Sequence, residues 1–389
     1  MTLQISRLIK PCLAALLATM FFFTAGAQTD SCPIRISVIT CAPGEELYAL
    51  FGHTALRITD STKGEDIVYN YGTFDFGDPD FYAKFVRGKL DYFLNPEYYH
   101  DFIRFYQEEQ RGITEQELKL TCAEKQAVIQ ALHVNLQGAN KYYKYDFLFD
   151  NCTSRVRDLL QKHIPGLTMQ TRLTAPGTTF RHMIHTYLDN GGQPWSKLGI
   201  DILLGSRMDR AVTVQESMFL PDFLMKGVDS ATRQGASVVS ARKQLFTATP
   251  VSHKQNKWVP LLVFSIFAFL ILLLSRWKSK TGKTLTRIAD SVLLYLTGLA
   301  GFLLLFMWFC TDHVACANNY NLLWMLPTNL VAGFFLWKRP NWLKKYFLYA
   351  GFLQIAILFA WLFLPQQLNI SLVPVVLLLA YRYYQLSAN

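Results

Sequence analysis

The chain has 389 residues, of which 51% are hydrophobic, 14% aromatic and only 17% charged, with a formal net charge of +10. That balance is too apolar for an ordinary soluble enzyme, and the excess concentrates after Lys257, so a globular first part and a membrane-embedded second part are expected. Much of the positive charge sits in two short loops between apolar stretches, where it reports topology and argues against nucleic acid as a partner.

The chain opens on a secretory signal. Arg7 and Lys10 precede the apolar run 13–23, and Ala25-Gly26-Ala27 offers a small-residue cleavage site, so the signal spans 1–27 and takes Cys12 with it. Residues 32–39 alternate like a strand, Pro43-Gly44 breaks it, and 45–50 reads as a short helix. From His53 to Ile58, Thr54, Leu56 and Ile58 share one parity, which puts His53 on the opposite face of a strand. A polar turn at 60–66 returns the chain as a neighbouring strand at 68–72, and Leu90, Tyr92 and Leu94 suggest another. Thr121-Cys122-Ala123-Glu124 is a capping box that opens a helix to about Leu136. A second helix starts at Cys152, capped by Asp150 or Asn151; Val156, Leu159, Leu160 and Ile164 recur at helical spacing, and Pro165-Gly166 stops it. Residues 190–194 read as a loop and 195–210 as ordered. Residues 233–256 show little periodicity and read as a linker. The expected division is therefore an exported α+β domain at 28–232, a linker at 233–256 and a membrane domain at 257–389.

Five apolar stretches follow: 258–275, 288–310, 320–337, 346–364 and 371–385, most of them near the roughly 20 residues that cross a bilayer core. Arg276, Lys278, Lys280, Lys283 and Arg287 fill the first loop, and Lys338, Arg339, Lys344 and Lys345 the third. The loops 311–319 and 365–370 carry no lysine or arginine. By the positive-inside rule the basic loops are cytoplasmic, which places the first domain outside, as the signal also requires.

Cys152 at a helix start and His53 on a strand are what a thiol nucleophile and its base need. Helix N-termini favour thiolate over thiol, and an imidazole carries the proton. First-turn N–H groups are also candidates to hold an oxyanion. Asn70, on the neighbouring strand, is the choice for orienting the imidazole, with Tyr71 and Asp75 as alternatives. The aromatic stretch 142–149 is a candidate wall of the site. The competing reading ties Cys152 to Cys32, Cys41 or Cys122 in a disulfide, because exported cysteines are commonly oxidised. Cys32 with Cys41, and Cys310 with Cys316, are further candidate bridges. Arg57, Arg155 and His313 are candidate substrate contacts, with Arg157, Arg207 and Arg210 as further phosphate-binding candidates. His182 and His185 lack partners at metal-ligand spacing, so neither a metal nor a cofactor is expected.

The segments Phe51-Gly52-His53-Thr54-Ala55-Leu56-Arg57, Asn70-Tyr71-Gly72-Thr73-Phe74-Asp75, Asp150-Asn151-Cys152-Thr153 and Asn319-Tyr320-Asn321-Leu322-Leu323-Trp324 together resemble the Lnb-type lipoprotein N-acyltransferases of Bacteroidota. Histidine before cysteine is similar to the permuted papain-like fold of lecithin retinol acyltransferase and NlpC-type peptidases. The strand after His53 lacks the second histidine that relatives of lecithin retinol acyltransferase often carry. The resemblance implies a permuted papain-like exported domain joined to a five-span domain in the inner membrane. It implies transfer of a fatty acyl chain from a membrane phospholipid, through a Cys152 thioester, to the α-amine of a diacylglyceryl lipoprotein. Two rival readings stand beside it: a membrane-tethered NlpC-like cysteine peptidase acting on peptidoglycan, and a non-enzymatic envelope sensor or scaffold.

Overall fold

The computed structural model describes residues 32–169, 172–248 and 256–388. The signal segment 1–27 lies outside the described residues. The N-terminal domain is built on strands β1 (Ile34–Cys41), β2 (His53–Asp60), β3 (Glu65–Phe74), β4 (Asp91–Tyr98), β5 (Ile113–Leu118) and β6 (Tyr142–Lys144). Short strands β7 (Leu167–Thr168), β8 (Thr232–Arg233) and β9 (Ala236–Ser237) form a separate ribbon, and β10 (Val239–Phe246) rejoins the main sheet. The main sheet runs β10-β5-β1-β2-β3-β4-β6, and every neighbouring pair in it is antiparallel.

Side-chain parity sorts two cores, one on each face. Ile36, Val38, Leu56 and Ile58 pack against Val128 and Leu132 of the helix Cys122–Asn135 and Val156 and Leu160 of the helix Cys152–His163. Ile39, Ala55 and Val68 face the other way, onto Phe102 and Tyr106 of the helix Tyr99–Glu108. Both helix starts follow their local chemistry. Thr121 and Glu124 form the reciprocal capping box, and Asn151 rather than Asp150 caps the Cys152 helix. Residues 45–51 form turns instead of a short helix.

The expected linker 233–256 differs in its first part, because Val239–Phe246 pairs with β5. An edge strand needs one partner and little burial, and charged residues such as Arg242 and Lys243 are common there, so apolar periodicity is a weak signal for it. The disulfide expectations are corrected as well: among the described residues, Cys32, Cys41, Cys122, Cys152, Cys310 and Cys316 form no disulfide. Cys32 and Cys41 flank an eight-residue extended strand and sit roughly 30 Å apart at about 3.3 Å per residue, far beyond disulfide reach.

Four helices among the described residues are long and apolar enough to cross a membrane: Val259–Arg276, Lys280–Phe309, Asn341–Ala360 and Ile370–Ala388. The third of the five apolar stretches is not such a helix. It folds as a 3₁₀ turn at Tyr320–Leu323 followed, past Pro327, by the seven-residue helix Asn329–Phe335. Polar side chains within it take tertiary partners instead. Asn329 donates to Thr297 Oγ1 (2.9 Å) and accepts from the hydroxyls of Tyr346 (2.6 Å) and Tyr383 (2.8 Å). A buried bidentate pair, Arg382 to Asp290 at 2.7 and 2.8 Å, joins the last membrane helix to the second.

Two loops of the membrane domain hold the N-terminal domain by the end of its helix Pro194–Leu203. Asn319 Nδ2 donates to the carbonyls of Ile202 (2.7 Å) and Leu203 (3.0 Å), Asn321 Nδ2 to that of Asp201 (2.9 Å), and Gln366 Nε2 to that of Leu204 (3.0 Å). The last carbonyls of a helix have no partner within it, and here the other domain supplies the donors. Asn369 Nδ2 also reaches Asp201 Oδ2 at 2.9 Å, while Asp201 Oδ1 binds Arg181 at 2.8 Å and His185 at 2.7 Å. Asn318, Asn319 and Asn321 are thus part of a docking joint in which Ser206 N donates to Asn318 O at 3.1 Å.

Candidate functional site

The site forms where the start of β2 meets the start of the Cys152 helix. Asn151 Oδ1 accepts from Thr153 N and Ser154 N, both at 2.8 Å, and its Nδ2 donates to Phe147 O (2.7 Å) and Phe219 O (2.9 Å). One side chain therefore caps the helix and ties it to two loops, which fixes the residue that follows. Thr54 and Thr153 hydroxyls meet at 3.1 Å in full burial and pin the two elements together. Thr153 and Ser154 give their N–H groups to Asn151, so the first-turn N–H that this cap does not take is that of Cys152 itself.

His53 opens β2 on the face of the helix Tyr99–Glu108, with its ring stacked at 6.5 Å from that of Tyr106. Its Nε2–H donates to Asn70 Oδ1 at 3.0 Å, and Asn70 Nδ2 donates to Glu97 Oε1 at 2.6 Å. The acceptor carboxylate orients the Asn70 amide, so its oxygen must face the imidazole. With Nε2 engaged by Asn70, Nδ1 is the ring nitrogen left to exchange a proton with Cys152, which lines the same cavity.

The electrostatics follow from that contact. Burial raises the Cys152 thiol, but the opposing His53 charge and hydrogen bond, the Thr54 N–H and the Thr153 hydroxyl bring it down on balance from 9.0 to about 7. Burial also opposes charge on His53, yet the Cys152 charge, its hydrogen bond and the bond to Asn70 hold the imidazole above its ordinary value. Each partner favours the ionised form of the other, so a thiolate–imidazolium pair is accessible near neutral pH. Cys41, beside them and fully buried, is moved the opposite way because desolvation prevails there.

A cavity of about 440 Å³ lies over Cys152 and His53, with Phe74, Phe85, Tyr92, Tyr145, Phe147 and Phe219 among its walls. Gly72, at φ 90°, sits at the bulge between Asn70 and Thr73 in the β3–β4 register; a Cβ there would stand 3.6 Å from Cys152 Cβ and 3.8 Å from the ring edge of Tyr145. A thiolate can attack an electrophilic carbon from this position.

Residues 24–186 match the family model of the Lnb N-terminal periplasmic domain, and residues 252–388 match that of the Lnb transmembrane domain. The chain has the Lnb two-domain architecture. No curated protein and no solved structure matches it. The Lnb periplasmic domain therefore carries both Cys152 and His53, and the protein is a membrane protein.

Within this Lnb architecture the sequence-derived site residues separate. Cys152, His53 and Asn70 come together. Arg57 does not line the cavity: it pairs with Asp66 at 2.6 Å and Glu115 at 3.0 Å and covers Tyr99, so its charge is matched within the sheet. Arg155 points elsewhere too, in a bidentate pair with Asp150 (2.6 and 2.8 Å) over the Tyr143 ring. Of the other arginines, Arg157 donates to Asp158 and the Gln215 carbonyl, and Arg210 pairs with Glu216. His313 lies at the joint, its Nε2 3.1 Å from Phe85 O, and lines a neighbouring cavity. Of the aromatic stretch 142–149, Tyr145 and Phe147 are walls of the Cys152 cavity. Two residues escaped sequence reading. Glu97 is brought to Asn70 only by the β3–β4 register, and Arg111 reaches the cavity from the start of β5 while donating to Ala42 O at 2.9 Å. Neither carries a local motif.

Proposed function

We propose that this protein is a lipoprotein N-acyltransferase of the inner membrane, with its first domain in the periplasm. The observation that carries this reading is a cysteine at a helix start that shares an aromatic cavity with a histidine, its thiol pKa lowered by that imidazole, in a domain docked onto membrane helices. Histidine on a strand ahead of a cysteine at a helix start is also the chain order of the permuted papain-like arrangement.

In the first half-reaction the Cys152 thiolate attacks the carbonyl carbon of a phospholipid acyl ester. The oxyanion is held by the Cys152 N–H, with the Tyr145 hydroxyl as second donor. The ester C–O bond breaks, and His53 imidazolium gives its proton to the departing lysophospholipid oxygen. In the second half the α-amine of a diacylglyceryl lipoprotein attacks the thioester carbon. His53 takes the amine proton, the C–S bond breaks, and the thiolate returns. Asn70, steadied by Glu97, keeps the imidazole ring in register for both transfers. An aromatic wall excludes water, which favours aminolysis of the thioester over hydrolysis. It also disfavours the peptidoglycan peptidase reading, because a muropeptide needs a polar groove.

Intact-mass analysis of a lipoprotein from cells lacking this protein is expected to show loss of the amide-linked acyl chain. Cys152→Ala should reproduce that loss while the protein stays in the membrane. A fully acylated lipoprotein in such cells, with no second enzyme supplying the chain, overturns the reading.

A further inference from the structure

Resting on the acyltransferase reading, we propose that the acyl chain carried by Cys152 lies in a second cavity, formed between the N-terminal domain and the loop after the second membrane helix. That cavity measures about 320 Å³ and shares Phe51, Phe85, Tyr92, Tyr145 and Phe147 with the cavity over Cys152. A chain bonded to the sulfur passes from one into the other along this common wall. The far end is closed by Leu90, Ile184, Leu204 and Met208 from the N-terminal domain and by Val314 and Ala315 from the membrane loop.

Several polar groups at the rim are already committed to the protein. Asp146 Oδ1 accepts from Leu148 N (2.8 Å) and Phe149 N (3.0 Å), His313 Nε2 bonds Phe85 O, and Asp312 N donates to Arg87 O at 2.9 Å. Among the described residues no lysine or arginine lines the cavity, and the Nε2 of its one histidine, His313, is taken by Phe85 O, so the lining suits a hydrocarbon chain better than a phosphate head group. Its position suits a chain arriving from lipid. Asp312 and His313 follow Phe309, the last residue of the second membrane helix, by three and four positions, so this end of the cavity sits at the leaflet surface. Beside it the helix Phe81–Val86 buries none of its residues and exposes Tyr82, Phe85 and Val86, with the Phe76 ring tilted against that of Phe81 at 5.1 Å. Aromatic side chains with polar tips favour the membrane–water boundary, so this helix marks where chains pass from the leaflet into the protein.

The test uses the full-length Cys152→Ser protein in phosphatidylethanolamine vesicles containing a phospholipid with a diazirine at one chain end. Photo-crosslinks are expected on Leu90, Ile184, Leu204 or Met208. Filling the cavity with Ala315→Phe, or from the opposite wall with Ile200→Phe, should lower them about tenfold while crosslinks to the membrane helices persist. Iodoacetamide labelling of Cys152 in the same variants on the wild-type background checks that the site is intact. Crosslinks confined to the membrane helices overturn the proposal, as do cavity crosslinks that neither filling variant reduces or that appear only with a lipoprotein acceptor. A parallel search for an acyl thioester on wild-type Cys152 separates the two ideas: crosslinks without a thioester uphold the chain site and sink the transfer reaction.

Discussion

Cys152 and His53 each resist ionisation when considered alone, because burial penalises both charges, and each overcomes that resistance through the other. The sign of the pH dependence follows. With the thiol at about 7, thiolate grows as pH rises through neutrality, so alkylation of Cys152 by iodoacetamide should be half-maximal near pH 7. Removing the imidazole by His53→Ala leaves desolvation opposed only by the Thr54 N–H and the Thr153 hydroxyl and moves that midpoint up to about 9, a loss of about fifty-fold in thiolate at pH 7. Asn70→Ala should move it part of the way, since the imidazole loses the acceptor that fixes its ring. A pH-independent alkylation rate in wild type, or an unmoved midpoint in His53→Ala, contradicts the pairing.

At the scale of elements, the helix start governs the site. Asn151 satisfies two first-turn N–H groups and two loop carbonyls, while adjacent Asp150 only pairs with the half-exposed Arg155. Asn151→Ala removes the cap and strands Phe147 O and Phe219 O, an expected cost of about 2 kcal/mol or more. Asp150→Ala should cost about 1 kcal/mol or less, as surface ion pairs do. Thermal unfolding of the two variants measures the contrast, and equal shifts would remove Asn151 from its role. The sequence offered both residues as caps; the choice rests on which side chain turns inward. Strand β10 teaches the same lesson, because its pairing with β5 is made by backbone groups that no side-chain pattern announces.

For the whole molecule, the proposed function depends on the joint that holds the Cys152 domain on the membrane domain. Gly205 N donates to Ala315 O at 2.9 Å, and a Cβ on Gly205 would run into the Ala317 carbonyl. Gly205→Val should therefore loosen the docking of the N-terminal domain on loop 311–319. If the proposed function holds, lipoprotein acylation in cells is expected to fall at least about tenfold while Cys152 keeps its alkylation midpoint, since Gly205 lies outside the Cys152 cavity. Parallel loss of both would place Gly205 in the folding of the first domain instead.

By itself the sequence determined the membrane division, the helix that begins at Cys152, the strand that presents His53, and the Lnb resemblance. Each of these is written in local hydropathy, capping chemistry or short motifs. Only the tertiary structure decided that Arg57 and Arg155 are matched by carboxylates away from the cavity, that Glu97 backs Asn70, and that the third apolar stretch breaks into a turn and a short helix. Those outcomes depend on strand register and on partners distant in the chain, and residue order does not encode which buried polar groups find one another.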